Sequence, residues 1–589
     1  MKFNEQSGGE PLSVNSYQLS INNYRLGGEL LSIINNNVEN LLLGKFKTFN
    51  TLRFTIYCLL FTVYCSLITD NCIAQSSAKY LITLKDKNDS PYSVSKPLEF
   101  LSQRSVNRRT KQKIAVVTRD LPVNPAYVTE IRKTGAKVWF TSRWMNAVLV
   151  QTSAANIQTI LKLPFVKGLE GINPLDSPTD RTARTASKFE TEGTQAFDYG
   201  SSKIQVEMIG ADAMHDAGFK GEGMLIGVLD EGFNNANNIP AFKPLFDEKR
   251  VVGTYDFVNK KSTVYDAGDH GTEVLACMGA FLEGKMIGTA PKASYLLLKT
   301  EDSKSESLLE EANWLFGVEY ADSVGVDLIN SSLGYNTQMN DSKMNHTYAE
   351  MDGNTTIAAR AADWAAAAGI VCVVSAGNDG QSSWKYVATP ADADSVLAVG
   401  AVTATKTYAL FSSQGNPTDK RIKPDVSAMG QSSVFIAPNG AVVTGSGTSF
   451  ASPILCGMVA GYWQANPTLT AMEVMDNVRK AGSQADKPDR ILGYGIPVLF
   501  KKPLAVEGEI SEIFKAYPNP TNSSVTIELL ETNPKNYEAN LVDVYGRTYW
   551  NESLKNRLQT FSVDKLSAGV YFLRVGNDEK NSVVKVVVE

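Results

Sequence analysis

Residues 445–453, Gly-Ser-Gly-Thr-Ser-Phe-Ala-Ser-Pro, carry the strongest structural signal in the chain. A serine, Ser449, follows a glycine-rich turn, and an apolar, Ala-rich helical pattern runs on to about residue 464. Glycine lets the backbone turn tightly and approach other groups closely, and the first amides of a helix attract negative charge. The stretch therefore predicts a serine at the start of a helix over 449–464, with its own amide placed to bind an anion.

Strongly apolar runs and Ala-rich helical runs alternate on either side of this stretch, over about residues 200–503. Such alternation is typical of a parallel sheet covered on both faces, so the predicted fold class is α/β, a doubly wound, mostly parallel sheet with helices on both faces. Ligands of such sheets bind at the carboxyl ends of the strands. The predicted strands are 225–229, 295–299, 327–330, 370–375 and 396–402, and the predicted helices include 357–368 and 449–464.

Polar residues with complementary chemistry follow these strands. Asp230 comes directly after the first strand, Asn378 directly after the strand 370–375, and His270 stands in Asp-His-Gly-Thr before a helical run. Amide hydrolysis through a serine needs a base, a carboxylate that orients the base, and donors for the developing oxyanion. The sequence predicts Asp230, His270 and Ser449 as the triad, with Asn378 and the Ser449 amide as the oxyanion donors.

Structural roles are the alternative for each of these residues taken singly, because Asp and Asn are common turn residues and most histidines are structural. Taken together they favour catalysis, since the chain has only three histidines and His215 and His346 lack comparable surroundings. Glu231, Glu273 and Asp379 could form a carboxylate cluster for a metal, but no histidine or ligand spacing supports one. No metal site is predicted and no cofactor is required. The Asx-rich loop 340–354 could hold a structural calcium ion, although a solvated loop is preferred.

The motifs resemble those of the subtilase family. Residues 447–453 carry the family's Gly-Thr-Ser-x-Ala-x-Pro pattern, and the His-Gly-Thr and Ala-Gly-Asn patterns occur in the family's order, Asp, His, Ser. The resemblance implies a subtilisin-like fold and a serine endopeptidase acting on proteins or peptides. It also implies that Ser332, Leu333 and Gly334 form the strand that pairs with an extended substrate.

Two residues depart from the family pattern. Glu231 stands where the family usually has Thr or Ser after the catalytic aspartate, and Glu273 stands where it usually has a second histidine. Neither change removes a triad group, so the departures bear on the polarity of the cleft and on acid dependence.

The amino-terminal part of the chain carries targeting signals. Residues 1–44 are polar and Asn-rich, and are interpreted as a doubtful extension. Residues 45–74 combine basic residues, an apolar run and a small residue, Ala74, which is typical of a cleaved signal peptide. A membrane span is the alternative, but the apolar run is shorter than about 20 residues.

A small α+β unit is predicted over 75–174. Its pattern gives strands at 80–84 and 166–172, two short strands within 138–151 around Arg143, and a helix at 154–163. By its position before the catalytic unit, this region resembles a subtilase propeptide, and the resemblance implies an intramolecular chaperone and inhibitor. Residues 175–199 are predicted to be a linker with a processing region, because Arg181, Arg184 and Lys188 stand among small polar residues.

Composition excludes several classes of protein. The 589 residues suggest three or four folding units, and 43% hydrophobic with 20% charged residues excludes a wholly disordered or multi-span membrane chain. A net charge of -5 gives no reason to expect nucleic acid as a partner. The densest basic run is predicted to be a solvated face; it consists of Arg104, Arg108, Arg109, Lys111 and Lys113. Three cysteines are predicted to be buried free thiols, namely Cys277, Cys372 and Cys456.

The last unit, 514–589, follows a linker at 504–513. Short alternating runs with turn residues between them predict a small β-sandwich, and the unit contains no His or Cys. The Tyr-Pro-Asn-Pro start at 517–520 and the segment 566–571 resemble the sorting domains of the Por (type IX) secretion system. The resemblance implies an outer-membrane secretion machinery as partner and a secreted or cell-surface location. A sandwich that binds carbohydrate or protein is the alternative.

The combined prediction is a secreted zymogen that hydrolyses peptide bonds through an acyl-enzyme intermediate. A noncatalytic adhesin on a subtilase fold is the first alternative, although a binding scaffold has no need of all four polar groups. A lipase or esterase is the second, but it expects Gly-x-Ser-x-Gly and the order Ser, Asp, His, whereas this motif ends in Ala451.

Overall fold

The computed structural model describes residues 77–171, 174–176, 199–337, 339–415, 418, 420–501, 513–531, 537–543, 546–577 and 581–589. The chain divides into two compact units, Met1–Ser76 and Ser77–Glu589, and every described residue belongs to the second. The predicted extension 1–44, the signal peptide 45–74 and the basic residues of the processing linker lie outside the described residues. Within the described part, no helix combines the length and apolar character needed to cross a bilayer.

The first described region is an antiparallel sheet with helices. Its elements are β1 (Ser77–Leu84), α1 (Gln103–Lys111), α2 (Pro125–Lys133), β2 (Lys137–Ser142), β3 (Ala147–Ser153), α3 (Ala154–Ile160) and β4 (Val166–Leu169). The strand order is β2-β3-β1-β4. Ile82, Ile131 and Ile157 belong to a hydrophobic cluster confined to this region. The two predicted strands on either side of Arg143 are β2 and β3, and the residues between them form a tight turn.

The central region is built on a seven-stranded sheet. The strands of the whole central region, including two hairpins outside the sheet, are β5 (Leu225–Asp230), β6 (Val251–Asp256), β7 (Phe281–Leu282), β8 (Met286–Ile287), β9 (Ser294–Lys299), β10 (Leu328–Ser331), β11 (Val371–Ser375), β12 (Leu397–Val402), β13 (Val426–Met429), β14 (Ser433–Ile436) and β15 (Val442–Gly445). The sheet order is β13-β12-β11-β10-β5-β9-β6, and every neighbouring pair is parallel. β7 pairs with β8 and β14 with β15 as antiparallel hairpins. The predicted parallel sheet is confirmed.

Helices cover both faces of this sheet. They are α4 (Lys203–Met208), α5 (Ala211–Asp216), α6 (Lys243–Asp247), α7 (His270–Gly279), α8 (Leu308–Val324), α9 (Ile357–Ala367), α10 (Thr448–Ala465) and α11 (Ala471–Lys480). Short 3-10 turns occur at Pro97–Glu99, Thr118–Asp120, Ala236–Asn238, Pro240–Phe242, Ser342–Met344 and Tyr348–Glu350. Alternate residues of a strand face opposite sides, so Ile226 and Val228 pack in the cluster under α7 and α10, while Leu225 and Leu229 pack under α8 and α9. Each fully buried side chain of this size stabilises the fold by about 1.5–3 kcal/mol.

The carboxyl-terminal region consists of two antiparallel sheets. Its strands are β16 (Phe514–Tyr517), β17 (Ser524–Leu529), β18 (Tyr537–Asp543), β19 (Thr548–Leu554), β20 (Leu558–Ser562), β21 (Gly569–Gly576) and β22 (Asn581–Val588). The sheets have the orders β16-β17-β20 and β19-β18-β21-β22. Val525, Ile527 and Leu529 alternate with more exposed residues and enter one core with Leu541 and Leu573 from the other sheet. The predicted small β-sandwich is confirmed.

The basic run on α1 is not the solvated face that the sequence predicted. Arg108 and Arg109 are only 5% and 2% exposed, because α1 lies against the carboxyl ends of α8 and α9. Arg108 donates through Nη1 to Val326 O at 2.6 Å and through Nε to Ala368 O at 3.2 Å, and Gln112 Nε2 donates to Gly369 O at 2.7 Å. The last carbonyls of a helix lack partners within it, and a cation there is favourable. Arg104, Lys111 and Lys113 are exposed, as predicted.

A buried ion cluster continues this contact. Asp322 on α8 accepts hydrogen bonds from Arg108, from Arg109 at 2.8 Å and from Arg143 at 2.5 Å. Glu319, one turn earlier, accepts from Ser142 Oγ at 2.5 Å and from the Arg143 amide at 2.9 Å. Since all of these side chains are at least nine-tenths buried, the first region is held on the central region by compensated internal charges.

Candidate active site

Asp230 and His270 meet at the carboxyl end of β5. Asp230 is the last residue of the strand and is fully buried, while His270 is the first residue of α7. His270 Nδ1 lies 2.8 Å from Asp230 Oδ1, which also accepts from the Glu231 amide at 2.9 Å. A Cβ on Gly271 would lie 2.2 Å from Gly232 O, so glycine at this position lets α7 approach the end of the strand this closely.

Carboxylates dominate the electrostatics around His270. Burial alone lowers the pKa of the imidazole, but Asp230 and then Glu231 and Glu273 outweigh it and raise the pKa to about 9. Glu231 Oε1 accepts from the His270 amide at 3.3 Å. Burial, together with Asp269 and the other carboxylates, raises the pKa of Glu273 to about 7 although His270 opposes this shift. The two residues that depart from the subtilase pattern therefore both act on the histidine.

Ser449 is the second residue of α10, directly after the glycine-rich turn. Its Oγ donates to Ser332 O at 3.3 Å, and its carbonyl accepts from Ser332 Oγ at 2.8 Å. The Ser449 amide lies in the first turn of α10, where backbone donors have no partner within the helix. These two hydrogen bonds hold the serine motif against the residue that follows β10. Ser449 and the predicted substrate strand therefore lie next to each other.

Asn378 follows β11 and is held by the same turn. Its Oδ1 accepts from the Thr448 amide at 2.9 Å and from Thr448 Oγ1 at 3.0 Å. These two bonds orient the side-chain amide, and a Cβ on Gly447 would lie 3.6 Å from Asn378 Nδ2 and 3.8 Å from Ser449 Cβ. The amide nitrogen is therefore positioned beside the serine.

A cavity of about 350 Å³ joins the predicted residues. Its lining includes the serine, the asparagine and all three residues of the predicted substrate strand, namely Ser332, Leu333, Gly334, Asn378 and Ser449. His270 lines a neighbouring cavity of about 180 Å³ that shares Leu333 and Gly334 with the first. Six of the seven predicted site residues thus line two adjoining cavities, and the seventh, the fully buried Asp230, contacts His270 directly.

Comparisons with known proteins show the family of this chain. The subtilase family profile matches residues 221–495. Subtilisin DY of Bacillus licheniformis is 32% identical over 275 residues, which is 46% of this chain and 88% of that protein. The chain belongs to the subtilase family. The subtilisin of Bacillus pumilus is 30% identical over 293 residues, 49% of this chain and 92% of that protein. Subtilisin E of Bacillus subtilis strain 168 is 29% identical over 357 residues, 60% of this chain and 80% of that protein.

Two further profiles match the flanking regions of this subtilase. The peptidase S8 propeptide domain of Bacteroidota matches residues 79–188, and the secretion system C-terminal sorting domain matches residues 515–589. The protein is therefore a subtilisin-like serine endopeptidase that carries a propeptide and is exported to a secreted or cell-surface location. We refer below to residues 79–174 as the propeptide.

Sequence reasoning missed the acidic lining of the smaller cavity. Besides Glu231, four carboxylates line it: Glu301, Asp302, Glu306 and Glu310. Glu301, Asp302 and Glu306 lie in the loop between β9 and α8, whose sequence Glu-Asp-Ser-Lys-Ser-Glu-Ser reads as an ordinary polar connection, and Glu310 lies in the first turn of α8. The excess of acidic residues after a buried strand was the available signal, but nothing local indicated that the loop faces His270.

The remaining candidate sites are simpler. Within the described residues, no group of three or more His, Cys, Asp and Glu side chains is arranged to hold a metal ion. Two of the carboxylates considered for a metal cluster, Asp379 and Glu231, line different cavities. Asp379 lines the larger cavity, where it accepts from Asn336 Nδ2 at 2.8 Å, and Glu231 lines the smaller one. Cys277, Cys372 and Cys456 are free and buried, which confirms the prediction of buried thiols.

Proposed function

We propose that Ser449 is the nucleophile of this endopeptidase, with His270 as general base and Asp230 as the carboxylate that orients it. The observation that carries the proposal is the 2.8 Å contact between Asp230 Oδ1 and His270 Nδ1, with His270 lining a cavity that adjoins the one lined by Ser449 and Asn378. Because Nδ1 donates to the carboxylate, the neutral ring presents Nε2 as the proton acceptor.

The first half-reaction forms an ester to Ser449. The Oγ leaves its hydrogen bond to Ser332 O, gives its proton to His270 Nε2 and attacks the carbonyl carbon of the scissile peptide bond. Asn378 Nδ2 and the Ser449 amide donate to the oxyanion of the tetrahedral intermediate. The imidazolium then protonates the leaving amine, and the carbon–nitrogen bond breaks.

The second half-reaction restores the enzyme. His270 takes a proton from a water molecule, the resulting hydroxide attacks the acyl carbonyl, and Ser449 leaves with the proton from His270. Asp230 stays ionised throughout and stabilises the imidazolium in both halves. These steps require no cofactor, and a bound calcium ion has no part in them.

The segment after β10, next to Ser449, is the proposed binding surface for the substrate. Ser332, Leu333 and Gly334 continue beyond β10 along the larger cavity, where an extended peptide could add as a further strand. Proteins and peptides are accordingly the proposed substrates, and the propeptide is the proposed inhibitor before maturation. Cleavage within the linker 175–199, followed by loss of the propeptide, would release the active form.

The test compares the purified mature chain with its Ser449→Ala variant on a denatured protein, together with labelling by a serine-directed fluorophosphonate. We expect cleavage and labelling at Ser449 for the parent chain only. Because the variant cannot process itself, its propeptide is removed with an added protease before the assay. A parent chain that neither cleaves nor labels after removal of the propeptide would contradict the proposal and favour a binding protein on a subtilase fold.

A further inference from the structure

The smaller cavity lies where part of a bound substrate has to pass. Its lining includes His270 on one side and Leu333, Gly334 and Tyr335 on the other, so it adjoins both the base and the strand that would hold the peptide. It shares Glu306, Leu333 and Gly334 with the larger cavity that contains Ser449. This cavity is therefore part of the peptidase cleft, and its position, independent of its charge, makes it a substrate subsite.

Its charge is one-sided. Five carboxyl groups line the cavity, and among its lining residues His270 is the one with a basic side chain. Lys304 belongs to the same loop but is exposed and does not line the cavity. No lysine or arginine of the described chain lines this cavity, although Asp302 acts on the pKa of Lys79 in β1 from outside it.

Two of the five carboxylates hold the loop in shape. Glu310 accepts from the amides of Asp302 and Ser307, both at 2.9 Å, and Glu301 Oε1 accepts from Thr300 Oγ1 at 2.7 Å and from Tyr335 OH at 2.8 Å. Both are buried. Their role is to fix the cavity wall rather than to contact a ligand.

The other three, Glu231, Asp302 and Glu306, are only partly buried and also line the cavity, and Asp302 Oδ1 accepts from the Lys304 amide at 3.1 Å. Burial and then Glu306 and Asp230 raise the pKa of Glu301 to about 8, and burial with Glu301 and Glu306 raises the pKa of Glu310. Burial is the main cause of both shifts, and repulsion between neighbouring carboxyl groups adds to them, so a positive charge in the cavity would relieve only that second contribution.

Alternation along an extended peptide, together with the presence of His270 in the lining, indicates the position that this cavity would receive. Successive side chains of a strand point to opposite sides, so neighbouring residues of a substrate on Ser332–Leu333–Gly334 enter different cavities. The residue that carries the scissile carbonyl belongs in the larger cavity beside Ser449. Its predecessor, the second residue before the scissile bond, then faces His270 and the acidic loop.

We propose that the smaller cavity selects a lysine or arginine side chain at the second residue before the scissile bond, through Glu231, Asp302 and Glu306. The volume of about 180 Å³ equals that of about six water molecules, which a single long side chain can fill. An acidic side chain at this position is disfavoured, since like charges brought together in a cleft are costly. The inference rests on the proposed peptidase function and names its substrate class.

The chain itself contains a segment of matching charge. Arg181, Arg184 and Lys188 stand in the linker that has to be cut during maturation. Their structure lies outside the described residues, so they enter only as a charge complement to the cavity. A preference for basic residues would direct the enzyme toward its own linker.

The experiment uses the mature enzyme, counted by fluorophosphonate titration, and three fluorogenic peptides that differ only at the second residue before the cut, with Lys, Gln or Glu there. We expect kcat/KM to be about tenfold higher for Lys than for Gln, and lowest for Glu. Asp302→Asn and Glu306→Gln should each lower the Lys-to-Gln ratio at least about threefold, and 0.5 M salt should lower it in the parent enzyme.

Glu283→Gln is the matched control, because Glu283 is an exposed carboxylate of the same region that lines neither cavity. It should leave the ratio unchanged. Equal cleavage of the Lys and Gln peptides overturns the inference alone, and so does a Lys preference that survives both carboxylate variants. Failure of the labelled enzyme to cleave any peptide overturns the proposed function and this inference with it.

Discussion

Two buried aspartates on the central region have cationic or potentially cationic partners, yet their surroundings differ. Asp322 is saturated: its two oxygens accept from Arg108, Arg109 and Arg143 across the propeptide contact. Asp230 has His270 on Oδ1, while its Oδ2 has no hydrogen-bond partner in the described part of the chain. Burial raises the pKa of Asp322, but the three arginines outweigh it and lower the pKa overall.

The difference in surroundings corresponds to a difference in role: Asp322 holds two regions together, and Asp230 takes part in the proposed reaction. The charge of Asp322 is compensated for as long as the propeptide is in place, so Asp322 fixes one arrangement of two regions. Asp230 faces a partner whose charge changes during turnover, and unused acceptor capacity beside such a partner is suited to stabilising the imidazolium when it forms. Each of the following predictions tests one side of this contrast.

The largest effect is expected at Asp230. Asp230→Asn keeps the shape of the side chain but loses the charge and favours the wrong imidazole tautomer, so kcat should fall about ten-thousandfold. The measurement is turnover of a peptide substrate per fluorophosphonate-reactive site. Asp322→Asn is the matched control and should keep kcat of the mature enzyme within about threefold. Similar losses in both variants would remove the distinction between the two aspartates.

At Asp322, stability of the precursor should change instead. Asp322→Ala in the Ser449→Ala background takes the carboxylate partner from the buried Arg108 and leaves Arg109 with Asp120 and Arg143 with Glu319, which should cost about 3–5 kcal/mol. Urea unfolding of the full chain, followed by tryptophan fluorescence, measures the loss. A decrease under about 1 kcal/mol would mean that the arginines find other partners and that the cluster does not hold the propeptide.

The pH dependence should report the carboxylates around His270. The general base has to be neutral, and its pKa is raised to about 9, so kcat/KM should rise with pH through about that value. Glu231→Gln and Glu273→Gln each remove a negative charge that favours the imidazolium, so each should move the midpoint to lower pH. Asp230 remains as the direct partner in both variants, and Glu283→Gln should leave the profile unchanged. A parent midpoint near 6.5 would contradict the electrostatic picture.

The smallest effect is expected for an exposed ion pair. Arg557 lies 3.4 Å from Glu528 in the carboxyl-terminal sandwich, with side chains 54% and 27% exposed. Arg557→Ala should change the stability of the chain by no more than about 1 kcal/mol, since solvent screens such pairs. The same urea titration checks this. A loss comparable to that of Asp322→Ala would show that burial is not what distinguishes the clusters.

The parallel sheet and the cleft residues were predictable because their signals are local. β5, β9, β11 and β12 are largely apolar runs and β10 begins with two apolar residues, and each of the five was predicted to within about two residues. The edge strands β6 and β13 were missed: β6 is only half-buried and interrupted by Gly253, and β13 has only four residues. The exposed or short edge of a sheet lacks the uninterrupted apolar pattern that marks a central strand.

The sequence by itself determined the fold class and the residues that can do chemistry, because strand ends, a glycine-rich turn and a helix start place Asp230, His270, Asn378 and Ser449 through short-range rules. Only the tertiary structure decided what Arg108, Asp322, Asp302 and Glu306 contact. Each of their partners or shared cavities involves residues distant in sequence, more than two hundred positions away for Arg108 and Asp322. Charge patterns along a chain do not state which face will be buried, and burial decides whether a charge is solvated, compensated or available to a ligand.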